Sequence, residues 1–547
     1  MLTPEQLAHC ADDILKLYSQ LEEEIVRDVA RRISKTGIIT ETGKLQLTAM
    51  QQLGTLNSDV LKSLSKYTDK TKEQLQKLFE DASITATEYD NEIYRANGLN
   101  AKSIKVSASQ MQMLEAGYKK TSGNISNLTR TTAVTSQTSF INACTLAEIK
   151  AESGAFSPQQ AIADAIRQIA KNGAYVLYPS GHRDKLDVAI RRNVMTGISQ
   201  TTGEICLANA RELGCDLMEI TAHAGARPSH SYWQGQIVSL SGRKGYLSLS
   251  DIGYGTGEGF KGWNCRHDWF PYFEGSTRMY SEKDLKKLDE KNVKFPDGSM
   301  HTLYEAEQYQ RGLERIIRET KRILAAQDEF FNNTSSKLMK KAIRKDFDDF
   351  SIKLKNQEAK LNAFLEKTDL LPDKSRTQGI RFNKSTSQKA VGSANKYYKT
   401  WSSEHNITNI KTLAEYYDVK YNDTKRYTLL KNYVSSVDKG MLSPLTGFDK
   451  YEGYYNKVQT ELIGLSTKTG IEIKSQSIHF LERVFGTKKD PKTKYPRNGV
   501  DFEDIKDALL NDSNPRYSSK NNSFIFKNSR CQVSINAEGN LIQTNPK

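Results

Sequence analysis

Between Pro4 and Pro158 the sequence holds no proline. Proline removes a backbone donor and clashes with the preceding turn, so a stretch this long without it leaves helices free to run on. The apolar pattern uses that freedom. Leu7, Ile14, Leu15, Tyr18, Leu21, Ile25, Val29 and Ile33 recur at three- and four-residue spacing, which predicts an amphipathic helix of about 30 residues. Thr3-Pro4-Glu5-Gln6 supplies its start: an N-cap, a proline at the first helical position and a Gln placed for a capping box. Helical periodicity returns over 58–80, 105–118 and 124–150. Residues 1–150 therefore read as an elongated, all-helical region, better suited to protein contacts than to chemistry.

The pattern changes after residue 150. A helix is expected over 158–171, opened by Ser157-Pro158 and closed by Gly173, and another over 186–213 with Gly214 as its stop. Residues 216–221 alternate like a strand, and long stretches rich in Gly, Ser and aromatic residues follow, with three of the four tryptophans, Trp233, Trp263 and Trp269. Residues 151–300 read as a loop-rich α+β core. Residues 301–395 return to Lys- and Arg-bearing amphipathic helices, over 303–327 and 335–368. They fit a helical hairpin or a basic face over nucleic acid, and the hairpin is the simpler reading. Residues 396–460 form a Tyr- and Lys-rich helical linker, with turn chemistry at 443–449. Residues 461–547 predict a separate domain: helices over 477–485 and 502–510, then strands over 523–527, 532–536 and 540–544 with a hairpin turn at 537–540. The fold class is thus multidomain and mainly α, ending in a small α+β domain of two helices and an antiparallel sheet.

Composition excludes several classes. A chain of 547 residues exceeds one compact core. Its 26 Tyr and 19 Phe are more than a disordered chain carries. No apolar run is long enough to span a bilayer, and the first ten residues lack the basic head and apolar stretch of a secretory signal. Six scattered cysteines are too few for a disulfide scaffold and fit a reducing compartment. Of the net charge of +14, residues 301–460 carry +9, residues 461–547 carry +4, and the first 300 residues only +1. A basic C-terminal half suits nucleic acid or an acidic partner, and equally a solvated lysine-rich surface.

Two constellations carry chemistry-bearing residues. The first is Cys215, His223, His230, Cys265 and His267. Zinc takes four such ligands in close pairs, but the spacing matches no established zinc class. The expectation is that Cys265 and His267 pack the loop core without holding a catalytic metal. A zinc-dependent nuclease centred on His223 and Cys265 is the alternative. The second lies in the last domain, where His479 and Arg483 share one helix face, with Arg497, Tyr517, Lys527 and Arg530 further on. A metal-independent ribonuclease needs a base, an acid and cations on the phosphate, and these residue types can supply them. Ordinary surface residues give the same pattern.

Particular motifs add a resemblance. Glu219-Ile220-Thr221-Ala222-His223-Ala224-Gly225-Ala226-Arg227-Pro228-Ser229-His230, then Trp233-Gln234-Gly235, Gly253-Tyr254-Gly255-Thr256-Gly257 and Gly262-Trp263-Asn264-Cys265-Arg266-His267, resemble the phage minor capsid protein 2 family, itself related to the Mu F-like head morphogenesis proteins. The resemblance takes in the helices from the N-terminus to about residue 395. It implies a low-copy, non-enzymatic protein of a phage or prophage head, associated with portal, capsid and scaffold proteins. Such a protein sits in the virion, in the head interior at the portal vertex, and in the host cytoplasm during assembly or after delivery.

The C-terminal segment carries a second resemblance. Ser477-Ile478-His479-Phe480-Leu481-Glu482-Arg483-Val484, Arg497-Asn498-Gly499-Val500, Glu503-Asp504-Ile505 and Ala508-Leu509 look like the opening of a barnase/EndoU/colicin E5–D/RelE-type nuclease of the polymorphic-toxin kind. This implies RNA as substrate, no cofactor, and an immunity protein where the toxin acts on its own host. His479 and Arg483 carry over as catalytic residues. Lys527 and Arg530 follow as catalytic by position, and Arg497 and Tyr517 as substrate-binding. An inactive domain that binds partners or nucleic acid is the competing reading.

Overall fold

The computed structural model describes residues 1–35, 42–153, 155, 157–379, 381–486 and 495–547. The chain divides into two compact units, Met1–Ala390 and Val391–Lys547.

The first unit is built on long helices. Thr3 caps the Pro4–His9 helix as the capping box requires, its side chain accepting from Gln6 N while Gln6 reaches back. The expected 30-residue helix is divided there. A second helix, Asp12–Lys35, starts after Cys10 and Ala11, with Asp12 and Asp13 in its first turn, where the helix dipole favours negative charge. The three shorter patterns between residues 58 and 150 merge into two helices, Thr42–Ala96 and Ala108–Glu152. Close packing fixes how the second of these lies on the Leu186–Glu212 helix. A Cβ on Gly117 would fall 2.0 Å from Thr201 Oγ1, and one on Gly197 would fall 2.2 Å from Thr121 Oγ1. Each glycine thus makes room for a threonine of the facing helix. The Pro158–Asn172 helix begins and ends as expected, with Ser157 accepting from Gln160 N and Gly173 at φ 61°.

A four-stranded sheet lies among these helices, in the order Leu247–Ser248, Ile237–Ser239, Leu217–Ile220, Trp269–Pro271. The first pair is parallel and the others antiparallel. Every residue of Leu217–Ile220 and Trp269–Pro271 is buried. Two irregular segments, 221–236 and 249–268, leave this sheet and return to it. The Leu303–Asn333 and Lys337–Thr368 helices form the hairpin, opened by the Thr302–Glu305 capping box. They close on Leu313, Ile317, Leu324, Phe347, Leu354 and Phe364. One hydrophobic core runs from Leu2 to Ile343. The segments expected to separate near residues 150 and 300 therefore all contribute to this core, and the hairpin adds a second cluster of its own.

The second unit joins helices to a five-stranded sheet. The strand order is Arg516–Ser518, Ser523–Lys527, Cys531–Asn536, Asn540–Pro546, Ser475–Gln476. All pairs are antiparallel except the last. The three central strands match the expected ones, and the two edge strands extend the expected sheet. Tyr454 of the Phe448–Glu461 helix packs edge-on to Phe485 and Phe502, at 5.6 and 5.7 Å between ring centroids. Lys457 Nζ lies 4.0 Å from the Phe502 ring centre. The helices read as a linker thus belong to the same compact unit as the sheet, and the division falls after Ala390. Residues 443–449 hold a short 3₁₀ turn, Pro444–Thr446, inside that unit. Among the described residues no helix is long and apolar enough to cross a membrane, and all six cysteines are free thiols.

Candidate functional site

The irregular segments on the first unit's sheet bring together most of the first constellation. His230, Cys265 and His267 are all buried, and their ligand-bearing atoms lie within 4.8 Å of one another. Cys265 Sγ is 3.5 Å from His267 Nδ1. The His223 ring centre is 4.6 Å from that of His267, and the Trp233 ring lies against both His230 and His267. Cys215 goes elsewhere, its thiol donating to Leu217 O.

Partners that can only accept fix the imidazole tautomers. His230 Nε2 is 2.8 Å from Glu258 O, and His223 Nδ1 is 2.8 Å from Ala224 O. Both nitrogens must therefore carry the proton. Gln234 Oε1 accepts the His223 backbone N–H at 3.2 Å, which identifies it as the oxygen. His267 Nε2, 3.3 Å from the same oxygen, must then donate as well. The remaining nitrogens, His223 Nε2, His230 Nδ1 and His267 Nδ1, keep lone pairs. His223 Nε2 is buried without a hydrogen-bond partner. Burial holds all three imidazoles below their usual range, with His223 at about 4.

An arginine-rich cleft of about 290 Å³ shares Arg266 and Arg311 with the cavity beside the histidines. Arg191, Arg315, Arg318 and Arg376 also line it. Glu307 bridges Arg311 and Arg266 at 2.9 and 3.4 Å. Burial lowers Arg311 to about 10, with Arg376, Arg266 and Arg191 adding repulsion against the pull of Glu307. Such a cleft has the chemistry to accept an anion.

In the second unit His479 and Arg483 meet, and Glu482 joins them. His479 Nδ1 lies 3.3 Å from Glu482 Oε2, and Arg483 Nε donates to His479 Nε2 at 3.4 Å. Ser436 Oγ donates to the other Glu482 oxygen at 2.7 Å. Burial raises the Glu482 carboxyl, but the hydrogen bonds from His479 and Ser436, with the charge of Lys439, outweigh it and hold the group below its usual range. Arg497 donates to Asn545. Asn545 pairs with Gln532, and Gln532 with Lys527, forming one row across the sheet. Side chains alternate along strands, so this row faces away from the buried row of Phe526, Val533 and Thr544.

Arg530 and Tyr517 have partners of their own elsewhere in the unit. Arg530 Nη1 is 3.5 Å from Asp504 on the Phe502–Asn511 helix. Tyr517 sits on the Arg516–Ser518 edge strand, where it donates to Asn522. The opposite edge strand, Ser475–Gln476, leads into the helix of His479, and four strand spacings separate the two edges by about 19 Å. Ser436 is an addition to the His479 cluster that no motif signalled. Glu482 was legible from its position three residues after His479 on one helix face.

The phage minor capsid protein 2 family model matches residues 2–366, and the chain belongs to that family, a structural protein of the phage particle. A structural protein of Lactococcus phage LL-H is 25% identical over 321 residues, covering 55% of this chain and 81% of that protein. No solved structure matches the chain. The Val391–Lys547 unit lies beyond the matched residues.

Proposed function

We propose that the protein is a low-copy component of a phage head, placed inside the capsid at the portal vertex, where it contacts portal and scaffold proteins. The carrying observation is that the family match, residues 2–366, falls within the Met1–Ala390 unit, whose core runs from Leu2 to Ile343. Long helices on one core give a stiff body for protein contacts. Co-expression with the portal protein of the same genome tests the placement: the full chain should co-elute with portal rings, and separate elution at micromolar concentrations counts against it.

A second reading concerns the Val391–Lys547 unit, as an endoribonuclease acting without metal. The His479–Glu482–Arg483 arrangement supports it. Glu482 orients the imidazole through Nδ1, and Arg483 sits one turn on, where a guanidinium can hold phosphate oxygens. For His479 Nε2 to take the 2′-hydroxyl proton, Arg483 must first turn from the ring toward phosphate. Attack by the 2′-oxygen would break the bond from phosphorus to the 5′-oxygen, which would take a proton from solvent and leave as the 5′-hydroxyl, with a 2′,3′-cyclic phosphate on the other fragment. The full chain in EDTA should then cleave total RNA, and His479→Ala should slow cleavage by about 10²–10⁴. Intact RNA with a folded chain across a broad pH range would leave this unit a binding domain. Cleavage that survives His479→Ala would move the catalytic group elsewhere. Were it a toxin against its own host, an immunity protein would be its further partner.

A further inference from the structure

We propose that His230, Cys265 and His267 bind a zinc-class divalent metal ion, with His223 Nε2 as the fourth ligand, and that this ion clamps segments 221–236 and 249–268 together. The distances fit. Tetrahedral zinc with bonds of about 2.0–2.1 Å to nitrogen and 2.3 Å to sulfur separates a nitrogen from a sulfur ligand by about 3.6 Å. Cys265 Sγ and His267 Nδ1 are 3.5 Å apart, and the His230 ligand atom is within 4.8 Å of both.

The surroundings have the form of a metal site's outer shell. Metal-binding histidines donate their other N–H to a carbonyl or similar acceptor, which fixes the tautomer and aims the lone pair. His223, His230 and His267 each do this, toward Ala224 O, Glu258 O and Gln234 Oε1. His223 Nε2 is left buried and unpartnered beside the His267 ring, as a ligand awaiting an ion would be. The nearby guanidiniums are engaged elsewhere. Arg227 donates to Trp263 O at 2.9 Å and Arg266 to Gly225 O at 3.0 Å. These bonds tie the same two segments together. The segments turn through glycines at positive φ and through Lys261 and Asn264 at φ 57° and 55°, and the ion would add a cross-link to the backbone hydrogen bonds within each, such as Gln234 N–H to His230 O and Phe260 N–H to Ile252 O. Binding deprotonates the Cys265 thiol, and that proton leaves to solvent.

The test uses the full chain, produced with added zinc and dialysed against metal-free buffer. Elemental analysis should find about one zinc per chain. Cys265→Ser and His230→Ala should each lose most of it, and Cys215→Ser should keep it. Because a ligand variant can misfold, the unmodified chain is also prepared with cobalt(II). A tetrahedral visible spectrum with a thiolate-to-cobalt charge-transfer band is expected. A folded, unmodified chain with no bound zinc and no such band would overturn the proposal and leave Cys265 donating a simple S–H hydrogen bond to His267. Full zinc retention in a folded Cys265→Ser, His230→Ala double variant would also overturn it, by placing the ion elsewhere.

Discussion

Gly173→Ala tests the account of the first unit's core most sharply. Gly173 ends the Pro158–Asn172 helix at φ 61°, ψ −162°, a region that is essentially glycine's alone and costs another residue about 1–3 kcal/mol. The added Cβ would lie 2.3 Å from Glu22 Oε1 and 3.1 Å from Arg322 Nη1. Those two groups form a buried pair at 2.7 Å, each side chain 4% exposed. Glu22 also accepts the Ala174 N–H at 3.2 Å. Breaking such a pair outright costs about 3–5 kcal/mol, and displacing it costs part of that. The total expected loss is about 3–6 kcal/mol. At about 2.1 cal/mol/K of unfolding entropy per residue over the 390-residue unit, this lowers the midpoint by about 4–7 °C. The control is Gly312→Ala, inside the Leu303–Asn333 helix with nothing within 4 Å of the new methyl. It should add about 0.5–1 kcal/mol, or about 1 °C. Calorimetry on the full chain reads both. A neutral or stabilising Gly173→Ala would refute the packing argument.

Two further outcomes follow from the geometry. Burial raises the Asp187 carboxyl, but Arg318 and Arg322 outweigh it and hold the group below its usual range. The stability it contributes is therefore present above about pH 4 and lost as pH falls through the lower folded value. Asp187→Asn should be less stable than the parent to urea at pH 7, with the gap closing toward pH 2–3; a gap independent of pH would refute this. A fragment of residues 391–547 should unfold cooperatively, whereas 461–547 should not, because it lacks the Tyr451, Tyr454 and Lys457 contacts to Phe485 and Phe502. A protease-resistant 461–547 fragment would restore the boundary near residue 460.

Local rules carried much of the fold. Thr3, Ser157, Gly173 and Gly214 mark helix ends in the sequence and in the structure, because capping and positive φ depend on neighbours a few residues away. Helix lengths were less legible. Residues 42–57 and 81–96 have weak apolar periodicity, yet both belong to the Thr42–Ala96 helix, since a helix once nucleated extends at little cost. Edge strands escaped notice because Ser475–Gln476 and Arg516–Ser518 are short and polar. The histidine cluster could be named from the sequence but not assembled. His230 and Cys265 are 35 residues apart, and only the return of the chain from Leu217–Ile220 to Trp269–Pro271 brings them together. The sequence expectation of simple loop packing gave no view of the three tautomers that leave a lone pair on each ring.

The role in the phage head is tested most directly by quantitative mass spectrometry of purified virions and procapsids from the phage or induced prophage that encodes the chain. The account predicts peptides from both the Met1–Ala390 and Val391–Lys547 units, at far lower abundance than the major capsid protein and at a constant ratio to the portal protein. Absence from both particles, or a copy number equal to that of the major capsid protein, would contradict it.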